Sequence, residues 1–574
     1  MHVIATAGHV DHGKSTLVRA LTGMEPDRLA EEQRRGLTVD LGFVWTAVDG
    51  AVLAFVDVPG HERFVPTMLA GTGPTAAVLF VVAADEGWQA QSTEHLAALD
   101  AFGVRHGLLV VTKSDRADSA TATAQARHHL AGTGLADVPS VAVSARTGAG
   151  LPELRRALLD LTAGLPDPDT DADVRLWVDR AFTIRGAGTV VTGTLAAGTL
   201  RVGDELALGG RRVTVRGLQA LGQPHDEVAA VARVAVNLRG VDRDEVRRGD
   251  ALLTPAAWRT TAEVDVRLRG DDAAELHREL VLHVGAAAAP CRVRPLGTNT
   301  ARLSLRAALP LRAGDVGVLR DPGAHRIPAG VEILDPLPPR LHRRGAARLR
   351  AAGLADPAAA HLRAHGAVRA ADLRVLGWSP TGVPCGEWLV DADLHEDLPR
   401  RLVARHTAWA AAHPVAAGMP IEALRNELDV PEPVLLAALA TTNLSVHNGL
   451  IGRGDRSSLP DKVSRAVAEL ERRLADAPFT APESADLAAL GLGPRELAAA
   501  ERAGRLVRLT GSVVVTTDAP ARAAKVLATL PTPFTVSDAR RALGTTRRVA
   551  VPLLEKLDAD GVTRRHDDGT RTLR

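Results

Sequence analysis

Gly8, Gly13, Lys14 and Ser15 carry the spacing GxxxxGK[ST] in the stretch Gly8-His9-Val10-Asp11-His12-Gly13-Lys14-Ser15, with Thr16 next in line. That spacing turns backbone amides inward around a phosphate, brings an ammonium to the outer phosphates and offers a hydroxyl to magnesium. Thr38 follows in a charged loop, and Asp57-Val58-Pro59-Gly60-His61 ends a later apolar run. Thr112-Lys113-Ser114-Asp115 ends another. A carboxylate at Asp115 accepts from guanine N1–H and N2–H, which adenine lacks, while the lysine stem covers the ring, so the motif favours GTP over ATP. Ser144-Ala145, after one more apolar run, stands where a backbone amide supports the guanine carbonyl. His9 and His12 are expected to be solvent-facing loop residues. Together these motifs describe a nucleotide-driven switch.

The motifs need a sheet to align them. Between residues 1 and 168, β-branched apolar runs at 2–6, 52–56, 77–82, 108–111 and 140–143 alternate with helix-like stretches. Continuous apolar strands are buried on both faces, which predicts a parallel sheet flanked by helices with the phosphate loop at its carboxyl edge. Gly164-Leu165-Pro166-Asp167-Pro168-Asp169 reads as a linker. Short alternating strands with glycine turns then predict a β-barrel over 169–256 and a second all-β domain over 257–335, closed by Asp335-Pro336-Leu337-Pro338-Pro339. Beyond it, alanine, leucine and arginine recur at helical spacing, broken by short β-like pieces roughly every 60 residues. The expectation is an array of small α+β winged-helix domains at 336–398, 399–456, 457–517 and 518–574.

At 574 residues the chain exceeds one core. Its formal charge of +1 argues against a general polyanion binder and leaves room for local basic patches. Cys291 and Cys385 have no metal-spaced or disulfide partner, which suggests reducing cytosol. The longest apolar run, residues 76–84, is a buried strand's length, so a cytoplasmic protein with no membrane span is expected. Only five of the 69 basic residues are lysines, and Lys14 and Lys113 both occupy nucleotide motifs.

The last forty residues read as an RNA grip. A helix start at Thr535 and a turn near Thr545 precede a candidate recognition helix, and residues 561–574 form the wing. Arg540, Arg541, Arg547, Arg548, Arg564 and Arg565 come in pairs at the helix starts and wing, where phosphates are best met. A solvated charged face has the same pattern, so the residues alone leave this open. The last 160 residues contain no tryptophan and the chain no tyrosine, which argues against base stacking in this module.

The phosphate loop, the stretch Arg35-Gly36-Leu37-Thr38-Val39-Asp40-Leu41-Gly42-Phe43 and Asp57-Val58-Pro59-Gly60-His61-Glu62-Arg63-Phe64 look like a translational GTPase. With the Thr-Lys-Ser-Asp motif and residues 179–194 added, the chain resembles the bacterial selenocysteine-specific elongation factors (SelB type) throughout its length. That resemblance is closest up to about residue 255 and returns in the last forty residues. Where the family pattern NKxD has asparagine, Thr112 stands, which puts one contact near the purine N7 in doubt.

The resemblance implies GTP and GDP as ligands, with Lys14 on the β- and γ-phosphates. It also implies Ser15 and Thr38 as Mg²⁺ ligands, Asp57 holding a water on that ion, and His61 orienting the attacking water. Val10 and Leu37 match an apolar gate before His61, and Asp11 resembles a residue that helps bind a monovalent cation. Arg180 and Arg233 match a pocket for the selenol, which is ionised at neutral pH. The implied partners are selenocysteinyl-tRNA, an mRNA selenocysteine insertion hairpin read by Arg540, Arg541, Thr545, Arg547, Arg548, Arg564 and Arg565, and the ribosome, with the protein a monomer. Two alternatives stay open: a general or initiator tRNA carrier whose tail docks on a protein, and a GTP-switched DNA-binding winged-helix regulator.

Overall fold

The structure is a computed structural model and describes residues 1–26, 38–73, 75–186, 188–343, 345–453 and 459–574. Leu37, expected to form the gate with Val10, lies outside the described residues. The chain divides into two compact units, Met1–Thr381 and Gly382–Arg574.

The first unit opens with β1 (His2–Ala7), β2 (Gly42–Val48), β3 (Ala51–Asp57), β4 (Ala77–Ala83), β5 (His106–Thr112) and β6 (Ser140–Ala142). They form one sheet in the order β2-β3-β1-β4-β5-β6. All neighbours are parallel except β2, which pairs antiparallel with β3. Every residue of β4 is buried, as an apolar strand covered on both faces must be. The strand order reverses between β3 and β4 on either side of β1, so the loops after β1, β3 and β5 open into one crevice at the carboxyl edge.

Two all-β domains follow. Ten strands, β7 to β16, run from Arg175 to Leu253, and their largest sheet has the order β7 (Arg175–Trp177), β16 (Ala251–Leu253), β11 (Glu205–Leu208), β12 (Arg211–Ala220), β15 (Ala232–Arg239), β9 (Gly188–Leu195), β8 (Arg180–Ile184). Along β15 (Ala232–Arg239) burial alternates residue by residue, because one face packs inward. The sheet curls on itself until β9 (Gly188–Leu195) meets β7 (Arg175–Trp177). A Cβ on Gly193 would lie 2.4 Å from the Trp177 carbonyl oxygen, so no larger residue fits at this closure. The next six strands, β17 (Thr260–Gly270) to β22 (Arg326–Asp335), make a closed barrel. Val264, Val266, Leu282, Leu303, Val331 and Ile333 fill it.

This closed barrel is tied to its neighbours by arginines. Arg175 makes a bidentate pair with Asp315, both bonds at 2.6 Å, and lies over the Trp258 ring. Arg269 donates to the Ala101 carbonyl at 3.1 Å, joining the barrel to the helix Ala90–Phe102 of the nucleotide domain. Asp265, wholly buried, accepts from Arg302 at 2.7 and 3.0 Å and from Arg350 at 2.6 Å. Arg350 also pairs with buried Asp335. The helix Ala346–Gly353 is therefore locked to the barrel through charges that water cannot reach.

The second unit repeats one local plan, winged-helix in form. The helix Ala392–Ala412 is followed by helices Ile421–Leu428 and Glu432–Leu439 and the hairpin β27 (Leu444–His447) with β28 (Leu450–Arg453). Helices Asp461–Asp476, Ser484–Ala489 and Pro494–Arg502 precede β29 (Leu506–Thr510) and β30 (Val513–Thr516). Helices Ala519–Leu527, Val536–Ala542 and Arg547–Ala559 precede β31 (Thr563–Arg565) and β32 (Arg571–Leu573). Helical spacing explains the packing: Val463, Val467, Leu470 and Leu474 form the single buried stripe of Asp461–Asp476. Thr535 caps Val536–Ala542 in a capping box with Asp538.

Candidate functional site

The phosphate loop leaves β1 at Gly8 and enters the helix Lys14–Thr22 through Gly13, in the left-handed conformation at φ 79°. Asp11 takes φ 63° although it carries a side chain, a strained conformation that a folded loop must hold in place. The holders are the Gly8 amide, which donates to His95 Nδ1 at 3.0 Å, and the Val10 amide, which donates to Gln91 Oε1 at 3.2 Å. Both acceptors sit one turn apart on Ala90–Phe102. Lys14 Nζ donates to the Gly8 and His9 carbonyls at 2.9 and 2.7 Å, so its ammonium lies within the loop.

His12 is not solvent-facing. Its ring is fully buried, with Nδ1 3.3 Å from the Val81 carbonyl oxygen, and burial lowers its pKa to about 4. His9 is partly buried, and desolvation lowers its pKa too. The His12 ring lies against β4, and the His9 ring meets it edge-on with centroids 5.1 Å apart. His95, wholly enclosed, is held neutral by burial, with a pKa of about 3. A neutral ring has the bare nitrogen that an amide needs as acceptor.

Two hydroxyls suited to magnesium meet. Ser15 Oγ lies 3.0 Å from Thr38 Oγ1. Asp57 is fully buried at the end of β3, with Oδ1 accepting from Thr6 Oγ1 at 2.7 Å. Two hydroxyls and a carboxylate are the hard oxygen donors that Mg²⁺ takes alongside phosphate and water. Gly60 follows, pressed onto the phosphate loop: a Cβ there would lie 2.6 Å from the Val10 nitrogen and 2.5 Å from Lys14 Nζ. His61 is half-buried, its Nδ1 accepting from the Arg63 amide at 3.2 Å. Asp11 and Thr16 are exposed on the loop and the first helical turn.

In the loops after β5 and β6, Ser144 donates to Asp115 Oδ1 at 2.7 Å, which with the Arg146 charge holds that carboxyl below the usual range. Ala145 continues the same loop. Lys113 stands at φ 55°. Burial opposes its charge, but Glu86 at 2.6 Å and Asp85 at 3.3 Å raise its pKa. The Thr112 hydroxyl donates to the His12 carbonyl at 2.6 Å, tying the base loop to the phosphate loop.

Arg180 and Arg233 are neighbours of the segment after Thr38. Arg180 Nη2 donates to Asp40 Oδ2 at 2.6 Å and to the Leu41 carbonyl at 3.3 Å. Arg233 pairs through both amino groups with Asp179 and covers the Phe43 ring at 3.6 Å. Asp40, Phe43 and Asp179 escape a reading of motifs, although all three lie in stretches that carry the resemblance. Gln91 and His95 leave no trace in the sequence, because a glutamine and a histidine in a helix have no distinctive spacing.

The terminal arginines divide. Arg541 pairs with Asp538 at 2.7 Å. Arg548 donates to the Pro482 carbonyl at 2.6 Å, and the Thr545 hydroxyl donates to the Phe479 carbonyl, so both bind the preceding helix–hairpin repeat. Arg540, Arg547, Arg564 and Arg565 are exposed.

The family described as "Elongation factor Tu GTP binding domain" matches residues 1–163, "Elongation factor Tu domain 2" matches 188–253, and "Elongation factor SelB, winged helix" matches 525–572. The "Selenocysteine-specific elongation factor" of Escherichia coli (strain K12) is 33% identical over 605 aligned positions, covering 98% of this chain and 97% of that protein. The chain belongs to the selenocysteine-specific elongation factors. A crystal structure of a bacterial selenocysteine-specific elongation factor, EF-Sec, superposes with a TM-score of 0.78 at 26% identity, covering all of both chains. Translation elongation factor SelB from Methanococcus maripaludis, in complex with the GTP analogue GppNHp, superposes with a TM-score of 0.52 at 26% identity over 59% of this chain and 79% of that one. This selenocysteine-specific elongation factor is thus a translational GTPase whose nucleotide domain, barrels and winged-helix domains follow one family plan. Among the described residues no helix is long and apolar enough to cross a membrane.

Proposed function

We propose that this factor carries selenocysteinyl-tRNA to the ribosome at a recoded UGA codon while its last winged helix holds a hairpin in the message. The observation that carries the reading is the placement of Arg180 and Arg233 against Asp40 and Phe43, directly after Thr38. A side-chain-reading pocket in the barrel then shares its wall with the segment whose position depends on the γ-phosphate.

In this reading Lys14 and the amides of residues 11 to 15 bind the β- and γ-phosphates, and Asp115 reads the guanine edge. Mg²⁺ fits the Ser15, Thr38 and Asp57 oxygens and, when bound, neutralises charge between the β- and γ-phosphates. His61 holds the attacking water in line; position and fixed dipoles supply the rate, because a neutral imidazole is a weak base for water. Val10 stands beside Gly60, where an apolar gate to His61 belongs. Asp11, exposed on the phosphate loop, would serve as the monovalent-cation ligand. Arg233, pre-oriented by Asp179 and Phe43, meets a selenolate with little reorganisation.

The four outward arginines of the last repeat supply the hairpin grip, with Arg541, Thr545 and Arg548 positioning it through their neighbours. The factor works as a cytoplasmic monomer.

The test is binding of the GTP-analogue form to selenocysteinyl-, seryl- and cysteinyl-tRNA built on one tRNA body. Preference for the selenocysteinyl form that disappears in Arg233→Ala, with nucleotide affinity intact, supports the reading. Equal binding of all three points to a general carrier.

A further inference from the structure

A cleft of about 480 Å³ lies in the second unit between the end of the helix Ala392–Ala412, the hairpin β27–β28 and the helix Pro494–Arg502. Its volume is in the range of small-molecule sites. None of the motifs that make the GTPase reaches it. One wall is aromatic: Trp409 and His413, one helical turn apart, stack with centroids 4.6 Å apart and planes 18° from parallel. His413 Nδ1 lies 3.0 Å from the Trp409 carbonyl oxygen, which fixes the ring. The lining also carries Arg502, whose Nη2 donates to the Val415 carbonyl at 3.0 Å. That bond uses one of five guanidinium donors and orients the rest. His406, Thr407, His447 and Asn448 complete the polar lining, and no aspartate or glutamate lines the cleft among the described residues. Beyond residue 381 the only tryptophans are Trp388 and Trp409, so a stacking platform is scarce in this unit.

An aromatic face and a fixed arginine in one cleft, with imidazole and amide groups beside them and no carboxylate among the described lining residues, match a base joined to a phosphate. We propose that this cleft takes one unpaired nucleotide of an RNA strand, its base against the Trp409–His413 stack and its phosphate against Arg502. The inference rests on reading the chain as an RNA-handling factor, but the site is separate from the arginines of the last repeat. It places base stacking, which the terminal module lacks, in the cleft between the first and second helix–hairpin repeats.

The test uses the full chain and a fluorescein-labelled hexauridylate, with a 4-thiouridine version for cross-linking. Trp409→Ala and Arg502→Gln should each weaken hexauridylate binding about tenfold or more, while Trp409→Phe retains most of it. Cross-links should fall on residues 405–418 or 445–450. Binding of a blunt hairpin should be unchanged by Trp409→Ala and weakened by Arg540→Ala, so that failure of the hairpin grip and failure of the cleft are distinguishable. Displacement of the probe by a hairpin with a six-nucleotide single-stranded extension assigns the strand to the message. Displacement by uncharged tRNA assigns it to tRNA. Displacement by neither, cross-links confined to 536–574, or equal affinity of Arg502→Gln and the parent chain overturns the proposal; Arg502 is exposed, so its variant remains decisive if Trp409→Ala fails to fold.

Discussion

The guanidinium carbon of Arg233 lies 3.6 Å from the centroid of the Phe43 ring. Arg233 belongs to the first barrel and Phe43 to β2 of the nucleotide domain, so one cation–π contact joins the two. Such a contact contributes about 0.5–2 kcal/mol, more as it is withdrawn from water. Asp179, which holds the same guanidinium, is also largely buried, so the arginine has little freedom left. Phe43→Leu keeps the apolar bulk and removes the quadrupole. It should reduce the preference for selenocysteinyl- over seryl-tRNA several-fold and leave GTP affinity unchanged, as read in parallel filter-binding titrations.

Gly60 tests the contact between the Asp57–Gly60 turn and the phosphate loop. In Gly60→Ala the methyl would meet the Val10 nitrogen at 2.6 Å and the His9 carbonyl carbon at 2.9 Å, both backbone. Main chain must move, so nucleotide affinity and hydrolysis should fall together, whereas His61→Ala should spare affinity and cut ribosome-stimulated hydrolysis about 10²-fold or more. Calorimetric titration with a GTP analogue and single-turnover hydrolysis separate the two.

Asp265 is shared by two buried arginines, of which Arg350 also has Asp335. Asp265→Ala leaves Arg302 and Arg350 charged and out of water, which should cost about 3–5 kcal/mol. Urea unfolding should show the loss, and amide exchange should rise first in the helix Ala346–Gly353, since that helix is held through Arg350.

His95 makes the phosphate loop acid-sensitive. Its pKa is lowered to about 3 in the folded chain from an ordinary value of 6.5. Between those values the unfolded chain binds the proton and the folded chain does not. The contribution to stability is therefore complete above about pH 6.5 and declines as pH falls towards 3. Gln at this position offers an acceptor that does not titrate. His95→Gln should flatten the loss of stability between pH 7 and pH 5 in urea midpoints relative to the parent chain.

The outward arginines should give hairpin binding a salt dependence. Replacing any one of Arg540, Arg547, Arg564 and Arg565 with alanine should weaken hairpin binding and lower the slope of log affinity against log salt by about 0.7–0.9. Arg548→Ala should act on stability instead, because its guanidinium donates to the Pro482 carbonyl. Anisotropy titrations at several salt concentrations, with thermal melts of the same variants, distinguish these outcomes.

The nucleotide domain was legible in the sequence, and so was the site proposed in it, because a phosphate loop, a magnesium hydroxyl and a guanine-reading carboxylate each need particular residues at fixed spacing within a few turns of chain. Gly13, Lys14, Ser15 and Asp115 satisfy that local geometry, and apolar runs as continuous as residues 77–83 specify the sheet that aligns them. What the tertiary structure alone decided are the partners distant along the chain. Gly8 meets His95 across 87 residues, Thr112 meets the His12 carbonyl across 100, and Arg350 meets Asp265 across 85. The contact of Arg233 with Phe43, and the placing of Trp409 and Arg502 in the lining of one cleft, are of the same kind. No periodicity records such contacts. They arise when two surfaces with their own local patterns pack together, and only then does a charge or a ring acquire the neighbour that gives it a role.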